Sequence, residues 1–234
     1  MNIFIADIEN AKAFLHADES WHCCKVLRKK AGDKVSLIDG KGLYAEGILD
    51  LVSEKSCTVQ LTMKPILKAK RNYHLHLAIA PTKQIDRIEW MLEKAVEIGL
   101  DEISFIQCKN SERVNLKIDR IQKIVESATK QSLQAYLPKV NDLLSFEAFV
   151  KQNNTQQKFL AHCHQSSKTA IHSIQFINRN SLVMIGPEGD FTDEEVILAN
   201  KQQIMAIDLG ENRLRTETAG LYVCMAAALL SPLQ

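Results

Sequence analysis

An excess of either charge is missing from this chain: 29 Lys and Arg stand against 28 Asp and Glu, a formal net charge of +1. That balance makes no global case for a polyanionic partner, so any footprint for nucleic acid has to be local. Long apolar runs are missing too. The longest, Leu221 to Leu230, falls well short of the roughly 20 residues that cross a bilayer, and no membrane contact is expected. Six cysteines, at 23, 24, 57, 108, 163 and 224, form no C-x-x-C pair, and the adjacent Cys23 and Cys24 are too strained for a structural disulfide. The opening Met1-Asn2-Ile3-Phe4-Ile5 is too short, and lacks the basic start, for a secretory signal. Scattered thiols without such a signal fit a reducing, cytoplasmic setting.

Several chemical signatures are absent as well. No Gly-Lys-Ser/Thr follows the glycine loops, and no G-x-G-x-x-G occurs. No Ser-His-Asp order or activated Cys-His pair stands out. His162-Cys163-His164 puts two imidazoles on one face of a strand, but no third and fourth ligands lie in sequence reach, so no metal is expected. What remains is ordinary globular composition, 46% hydrophobic and 24% charged. At 234 residues the chain can form one large or two modest domains with a sizeable core.

Two textures divide it. Residues 1 to about 66 read as β-rich. Lys34 to Asp39 alternates, Gly40-Lys41-Gly42 turns it into Leu43 to Leu49, and Thr58 to Thr62 alternates again. Short strands closed by such turns predict a small barrel or twisted meander. His22 through Lys30 carries Lys25, Arg28, Lys29 and Lys30 within one or two helical turns, and residues 1–72 hold 12 Lys and Arg against 9 Asp and Glu, a net of +3. Such a cluster is either a solvated face or a phosphate-contacting surface, which positions RNA without reading its sequence. Pro65 to Arg71 reads as a linker.

From Tyr73 the chain alternates strand and helix. His74 to Ala80 is a strand stopped by Pro81. Ile85, Ile88, Met91, Leu92, Ala95, Val96 and Ile98 recur at helical spacing up to Gly99, a C-cap. Ile103 to Ile106, Phe159 to His162 and Leu182 to Ile185 are further strands, and Ile118 to Ala128 marks another helix. Thr192 and Glu195 have capping-box spacing. The alternation implies an α/β fold with a right-handed, mostly parallel sheet. Leu221 to Leu230 is apolar all round, which predicts a helix buried on more than one side, in the core, across a subunit interface, or both.

Twice, late in the chain, an apolar run of strand length meets a glycine turn and then a helix. Leu182 to Ile185 leads into Gly186-Pro187-Glu188-Gly189-Asp190, and Met205 to Leu209 leads into Gly210 and Leu214-Arg215-Thr216-Glu217-Thr218-Ala219. In a parallel sheet such turns lie side by side at the carboxyl ends of their strands, where ligands bind. Glycines at 186, 189 and 210 permit positive φ and close backbone approach. The plain alternative is an ordinary pair of β-α turns. An acidic loop suits a triphosphate poorly without a metal. Carboxylates near a cationic centre, with backbone groups reading a base edge, suit S-adenosyl-L-methionine better.

These two loops resemble the signature loops of the RsmE family, SPOUT-class methyltransferases acting on N3 of a uridine in 16S rRNA. The resemblance extends over the whole chain, and the Arg215-Thr216-Glu217-Thr218-Ala219 motif is its most specific part. Three positions depart from it: Asp190 stands where the family usually has Gly, Asn212 holds the usual Arg position with Arg213 following, and Gly220 replaces a common Ala. The resemblance implies a PUA-like RNA-binding domain over residues 1–68, matched by His22, Val26, Leu27 and Arg28, and a SPOUT domain over 73–234 with a C-terminal trefoil knot. It also implies an obligate homodimer whose active site draws on both subunits, and 16S rRNA or the small ribosomal subunit as partner.

Residue roles follow from the same resemblance. S-adenosyl-L-methionine is expected on Leu160, His162, Gly186, Pro187, Glu188, Gly189, Leu209, Gly210, Leu214, Thr216, Thr218 and Ala219. Arg28, Lys29, Lys30, Lys83, Arg87 and Arg113 are the candidates for RNA, although Lys83 and Arg87 also read as helix-surface charges. Removing the imide proton of uridine N3 puts negative charge on the flanking carbonyls, which a guanidinium stabilises. Arg215 is the first choice for that, ahead of Arg213 and Arg87. Glu217 and Glu188 are the nearby carboxylates for the proton, with water as the third acceptor. Two other readings stay open: a related methyltransferase of ribose 2′-oxygens or transfer RNA, and a non-catalytic RNA-binding assembly factor.

Overall fold

The computed structural model describes residues 3–231. It divides into two compact units, one made of residues up to Lys70 together with Thr129–Leu137, the other of Arg71–Ala128 and the chain from Pro138 onwards.

The first unit holds β1 (Ile3–Glu9), β2 (Lys12–Leu15), α1 (Ala17–Trp21), β3 (Lys34–Ile38), β4 (Leu43–Val52), β5 (Cys57–Leu61) and β6 (Ile66–Leu67). Five strands run in the order β3-β1-β2-β5-β4, and β3 pairs with β4 to close the ring, with β6 added outside on β4. Closure leaves those five strands without a free edge. Alternate residues then fill the interior: Phe4, Ala13, Leu37, Ala45, Cys57 and Val59 are all fully buried. One pairing was not legible in the alternation. β1 runs parallel to β3, a contact between segments about 30 residues apart with no hairpin turn to announce it. Residues 129–137 belong to this unit through bonds on the expected turn, where Gly42 N–H donates to Ala135 O at 3.0 Å and Leu137 N–H to Gly40 O at 2.8 Å.

The basic stretch after α1 is less helical than its spacing predicts. A π-helical turn covers His22–Val26, and Arg28 then sits at φ 52°. A left-handed residue cannot continue a helix, so Lys29 and Lys30 lie in the loop before β3.

The second unit holds β7 (His74–Ile79), α2 (Ile85–Ile98), β8 (Glu102–Gln107), α3 (Ile118–Gln131, its last turn counted with the first unit), β9 (Lys139–Ser145), α4 (Phe146–Gln152), β10 (Gln157–Ala161), β11 (Thr169–Ala170), β12 (Asn180–Ile185), α5 (Asp193–Lys201), β13 (Met205–Asp208) and α6 (Thr216–Leu229). Its seven strands run β11-β13-β10-β12-β7-β8-β9, every pairing parallel. α2 buries Ile88, Met91, Leu92, Ala95 and Val96, and Gly99 caps it at φ 133° with its N–H on Ala95 O. Thr192 and Glu195 form the full capping box of α5. β9 and α4 lie in a stretch that carries no clear helical or strand period in the sequence. α4 forms because Phe146, Phe149 and Val150 bury in the core beside the sheet, and β9 pairs with β8.

Within the single chain α6 is buried on one side. It buries Ala219, Gly220, Val223, Cys224 and Ala227, but Tyr222, Met225 and Leu229 are 43%, 51% and 74% exposed on the single chain. Its uniform apolarity therefore covers one buried face and one open one.

Two polar clusters fix the sheet's lower end. Burial pushes His76 down to about 4, so the ring is neutral and Nε2 bonds Ser104 Oγ at 2.7 Å. Beside it, the Asp101 carboxylate takes Arg71 on one oxygen at 2.9 Å and the Leu75 N–H on the other at 2.9 Å. Asp101 thus joins the chain entering β7 to the turn before β8. Asp101→Ala removes the acceptor of the Leu75 N–H and the carboxylate beside Arg71, whose guanidinium keeps the Leu100 carbonyl, and should cost about 2 kcal/mol of unfolding free energy. Urea titration measures this; a loss within experimental error of zero would remove Asp101 from the scaffold.

Candidate active site

The carboxyl ends of the central strands are level. Ala161 of β10 pairs with Ile185 of β12 on one side and Ile207 of β13 on the other. Each strand is followed at once by a loop, so three loops leave the sheet from one row. They enclose a cleft of about 320 Å³, a volume suited to a small molecule.

The loops are bonded to one another. Thr216 Oγ donates to Gly186 O at 3.0 Å in a buried contact, joining the third loop to the second. Cys163 N–H donates to Asp190 Oδ2 at 2.7 Å, joining the first to the second. Asn110 Nδ2 bridges the carbonyls of Gly189 and Asp190 at 3.0 and 3.1 Å. Lys83 N–H donates to Glu188 Oε1 at 3.1 Å. Bonds of this kind fix the backbone groups that line the cleft before any ligand arrives.

The glycines act differently from one another. Gly210 sits at φ 119°, open to ligand on its Cβ side. Neither Gly186 nor Gly189 has positive φ. At Gly186 a Cβ would stand 3.0 Å from the buried Phe191 ring, a tighter approach than side chains normally make. The left-handed residue of this loop is Asp190, at φ 61°. An Asp tolerates that conformation better than most residues, and here its carboxylate binds the N–H groups of both Cys163 and Phe191.

His162 faces the cleft, is 7% exposed, and has no partner on either ring nitrogen. Burial, helped by the Lys168 ammonium, lowers its pKa, so the ring is neutral and offers one donor and one acceptor. A buried ring with both nitrogens free is unusual. His164 is committed elsewhere, to Asp193 at 2.9 Å and Phe191 O at 2.6 Å. Among the described residues no group of three His, Cys, Asp or Glu could hold a metal ion. Arg215, the N-cap residue of α6, is part of the cleft lining.

Comparisons with known proteins agree with one another. An RNA methyltransferase domain matches residues 69–228, and an RNA methyltransferase PUA domain matches residues 15–62. The ribosomal RNA small subunit methyltransferase E of Rickettsia conorii is 30% identical over 230 residues, covering 95% of this chain and 91% of that protein. The chain belongs to the RsmE family. The RsmE protein of Bacillus subtilis is 29% identical, with 94% and 91% covered. Among solved structures, a probable rRNA-methyltransferase from Porphyromonas gingivalis superposes with TM-score 0.85 at 35% identity, covering 99% and 98% of the two chains.

Against this RsmE frame the expected site residues separate. His162, Gly186, Pro187, Glu188, Leu209, Gly210, Leu214, Thr216 and Ala219 line the cleft, as do Arg213 and Arg215. Leu160, Gly189, Thr218 and Glu217 do not. Leu160 is buried in β10, Gly189 turns towards Asn110, and Thr218 is exposed on α6. Glu217 is buried with Oε1 3.6 Å from Arg87 and Oε2 without a partner. Lys83 pairs with Glu112 at 2.8 Å, and Arg113 donates to Thr82 O and Lys83 O. Sequence reasoning passed over Cys163, Asp190 and Asn212 as lining residues; for Asp190 the signal was its place at the tip of the loop.

Asp190→Ala would remove the acceptor that holds the first loop against the second. A hydrogen bond to a charged group contributes ~1.5–3 kcal/mol, so affinity for S-adenosylmethionine should fall roughly tenfold or more. Calorimetry checks this, and an unchanged Kd would mean the loop holds its shape without Asp190.

Proposed function

We propose that this chain transfers a methyl group from S-adenosyl-L-methionine to N3 of a uridine in 16S rRNA of the small ribosomal subunit. The observation carrying the reading is the pre-bonded cleft at three level strand ends, with His162 and Arg215 both in its lining. Backbone groups of 186–188 and 208–210, with His162, suit the adenosine part of the donor. When bound, S-adenosylmethionine supplies a methyl that is already electrophilic, so the residues mainly have to align two reactants, an effect of up to roughly 7–11 kcal/mol.

Arg215 meets the negative charge that develops on the uracil carbonyls as N3 loses its proton, with Arg213 as the second cation at the same wall. The imide proton is assigned to water, because Glu217 is buried outside the cleft and Glu188 already accepts from the Lys83 N–H; Glu217 anchors the start of α6. Arg87, beside Glu217 Oε1, holds that carboxylate in place. Residues 73–234 form the catalytic SPOUT domain in this proposal, with the trefoil knot that its family loops imply. Residues 1–68 dock RNA, with Arg28, Lys29 and Lys30 on phosphates; Lys83, Arg87 and Arg113 contact the substrate nearer the cleft. The exposed stripe Tyr222, Met225 and Leu229 on α6 supports a homodimer through that helix. No helix among the described residues is long and apolar enough to cross a membrane, and a cytoplasmic location where ribosomes assemble is part of the same reading.

The test is transfer of labelled methyl to small-subunit particles lacking the mark, followed by nucleoside analysis. The expected product is 3-methyluridine. Label in a 2′-O-methyl nucleoside, in transfer RNA alone, or nowhere would overturn the proposal. Arg215→Ala should lower turnover on the order of 10²–10³-fold with little change in donor affinity, and a variant with full turnover would exclude Arg215 from the chemistry.

A further inference from the structure

A second concave site lies in the same unit, between the first turns of α2 and the irregular segment that runs from β8 to α3. It shares no lining residue with the donor cleft and has the same volume, about 320 Å³. Its walls have two characters. Ile85, Leu116 and Ile121 supply apolar surface, and Arg113, Lys117 and Arg120 supply cations. The single acid in the lining, Glu89, is matched by Arg120 at 2.6 Å, which leaves Arg113 and Lys117 as uncompensated positive charge. Arg113 is pinned by two carbonyls, with Nε on Thr82 O at 3.1 Å and a terminal nitrogen on Lys83 O at 2.7 Å. Lys83 is the residue whose N–H holds Glu188 in the donor cleft. The two sites are therefore neighbours through one short segment, Thr82–Lys83. Asn115 lies exposed at the mouth, and its amide can both donate to and accept from a base edge.

An apolar floor under fixed cations fits an unstacked nucleobase with its phosphate. RNA is read mainly through bases splayed out of single strands, which apolar side chains can cover while cations hold the backbone phosphates. We propose that this cleft is a second RNA subsite, which takes a base flanking the target uridine on Ile85, Leu116 and Ile121 and its phosphate on Arg113 and Lys117. It rests on the methyltransferase reading above and deepens it: register along the RNA is set by two pockets, one for the reacting base and one for its neighbour. The charge argues for RNA over a second copy of this chain, because the exposed apolar stripe suited to a copy lies on α6.

The test uses the full-length protein and small-subunit particles lacking the methyl mark. Leu116→Trp fills the cleft, and the double variant Asn115→Ala/Lys117→Ala strips its polar mouth without touching buried residues. With either, KM for particles should rise about tenfold, the size of losing one hydrogen bond to a charged group, with kcat moving less than KM and calorimetric affinity for S-adenosylmethionine unchanged. Unchanged KM in the double variant overturns the subsite, whatever Leu116→Trp does to folding. A shift from dimer to monomer in sedimentation with either variant also overturns it, because the occupant would then be a second copy. If the unaltered protein methylates no particle, the methyltransferase reading itself has failed; if it methylates them and only the KM effect is missing, the subsite alone has failed.

Discussion

Everything at the candidate site depends on one row of residues in register. Ile207, Ala161, Ile185, Ile79 and Phe105 stand side by side across five parallel strands. Parallel strands must be joined by crossovers, so each strand in the row ends in a loop at the same edge. The chain contributes loops from residues 80–84, 108–117, 161–164, 186–192 and 208–215 to that edge without any of them being near another in sequence. A one-residue slip of β10 would turn its side chains to the opposite faces and move the first loop away from the other two.

The row alone makes an edge, and the bonds between loops make a site of it. Asp190 is central here. The left-handed position at the tip of its loop suits Gly, and the RsmE family resemblance has Gly there. This chain places an Asp in that conformation and uses its carboxylate as an acceptor for the neighbouring loop. A backbone strain of order 1–3 kcal/mol is thereby offset by charge-assisted hydrogen bonds. Glu195 works similarly on the far side. One oxygen completes its own helix cap and the other takes the N–H of Lys109 at 2.9 Å, so a local capping device also fastens the segment after β8.

Local features were the legible ones. The apolar stripe of α2, its Gly99 cap and the Thr192–Glu195 box all depend on residues within a few positions, and each took the expected form. Barrel closure by β1 beside β3, and the attachment of residues 129–137 to the Gly40–Gly42 turn, depend on partners distant in sequence and leave no period to read. The two glycine loops were legible as loops, but the reason for each glycine was not. Positive φ falls on Gly210 and Asp190, and at Gly186 the Phe191 ring packs close. Motif reading set Glu217 beside the donor. Its burial against Arg87 could not be seen from a helix start alone, because α2 lies about 130 residues earlier. His162 carried a motif signal, and only burial with two free nitrogens separates it from His164.

The central claim is that these level strand ends form a pocket for a methyl donor. Isothermal calorimetry of the full-length protein with S-adenosylmethionine, and with its demethylated product, tests that claim most directly. Saturable one-site heat with both is the predicted result, with the affinity weakened when His162 is replaced by Ala. A folded protein that gives no heat with either ligand would contradict the account.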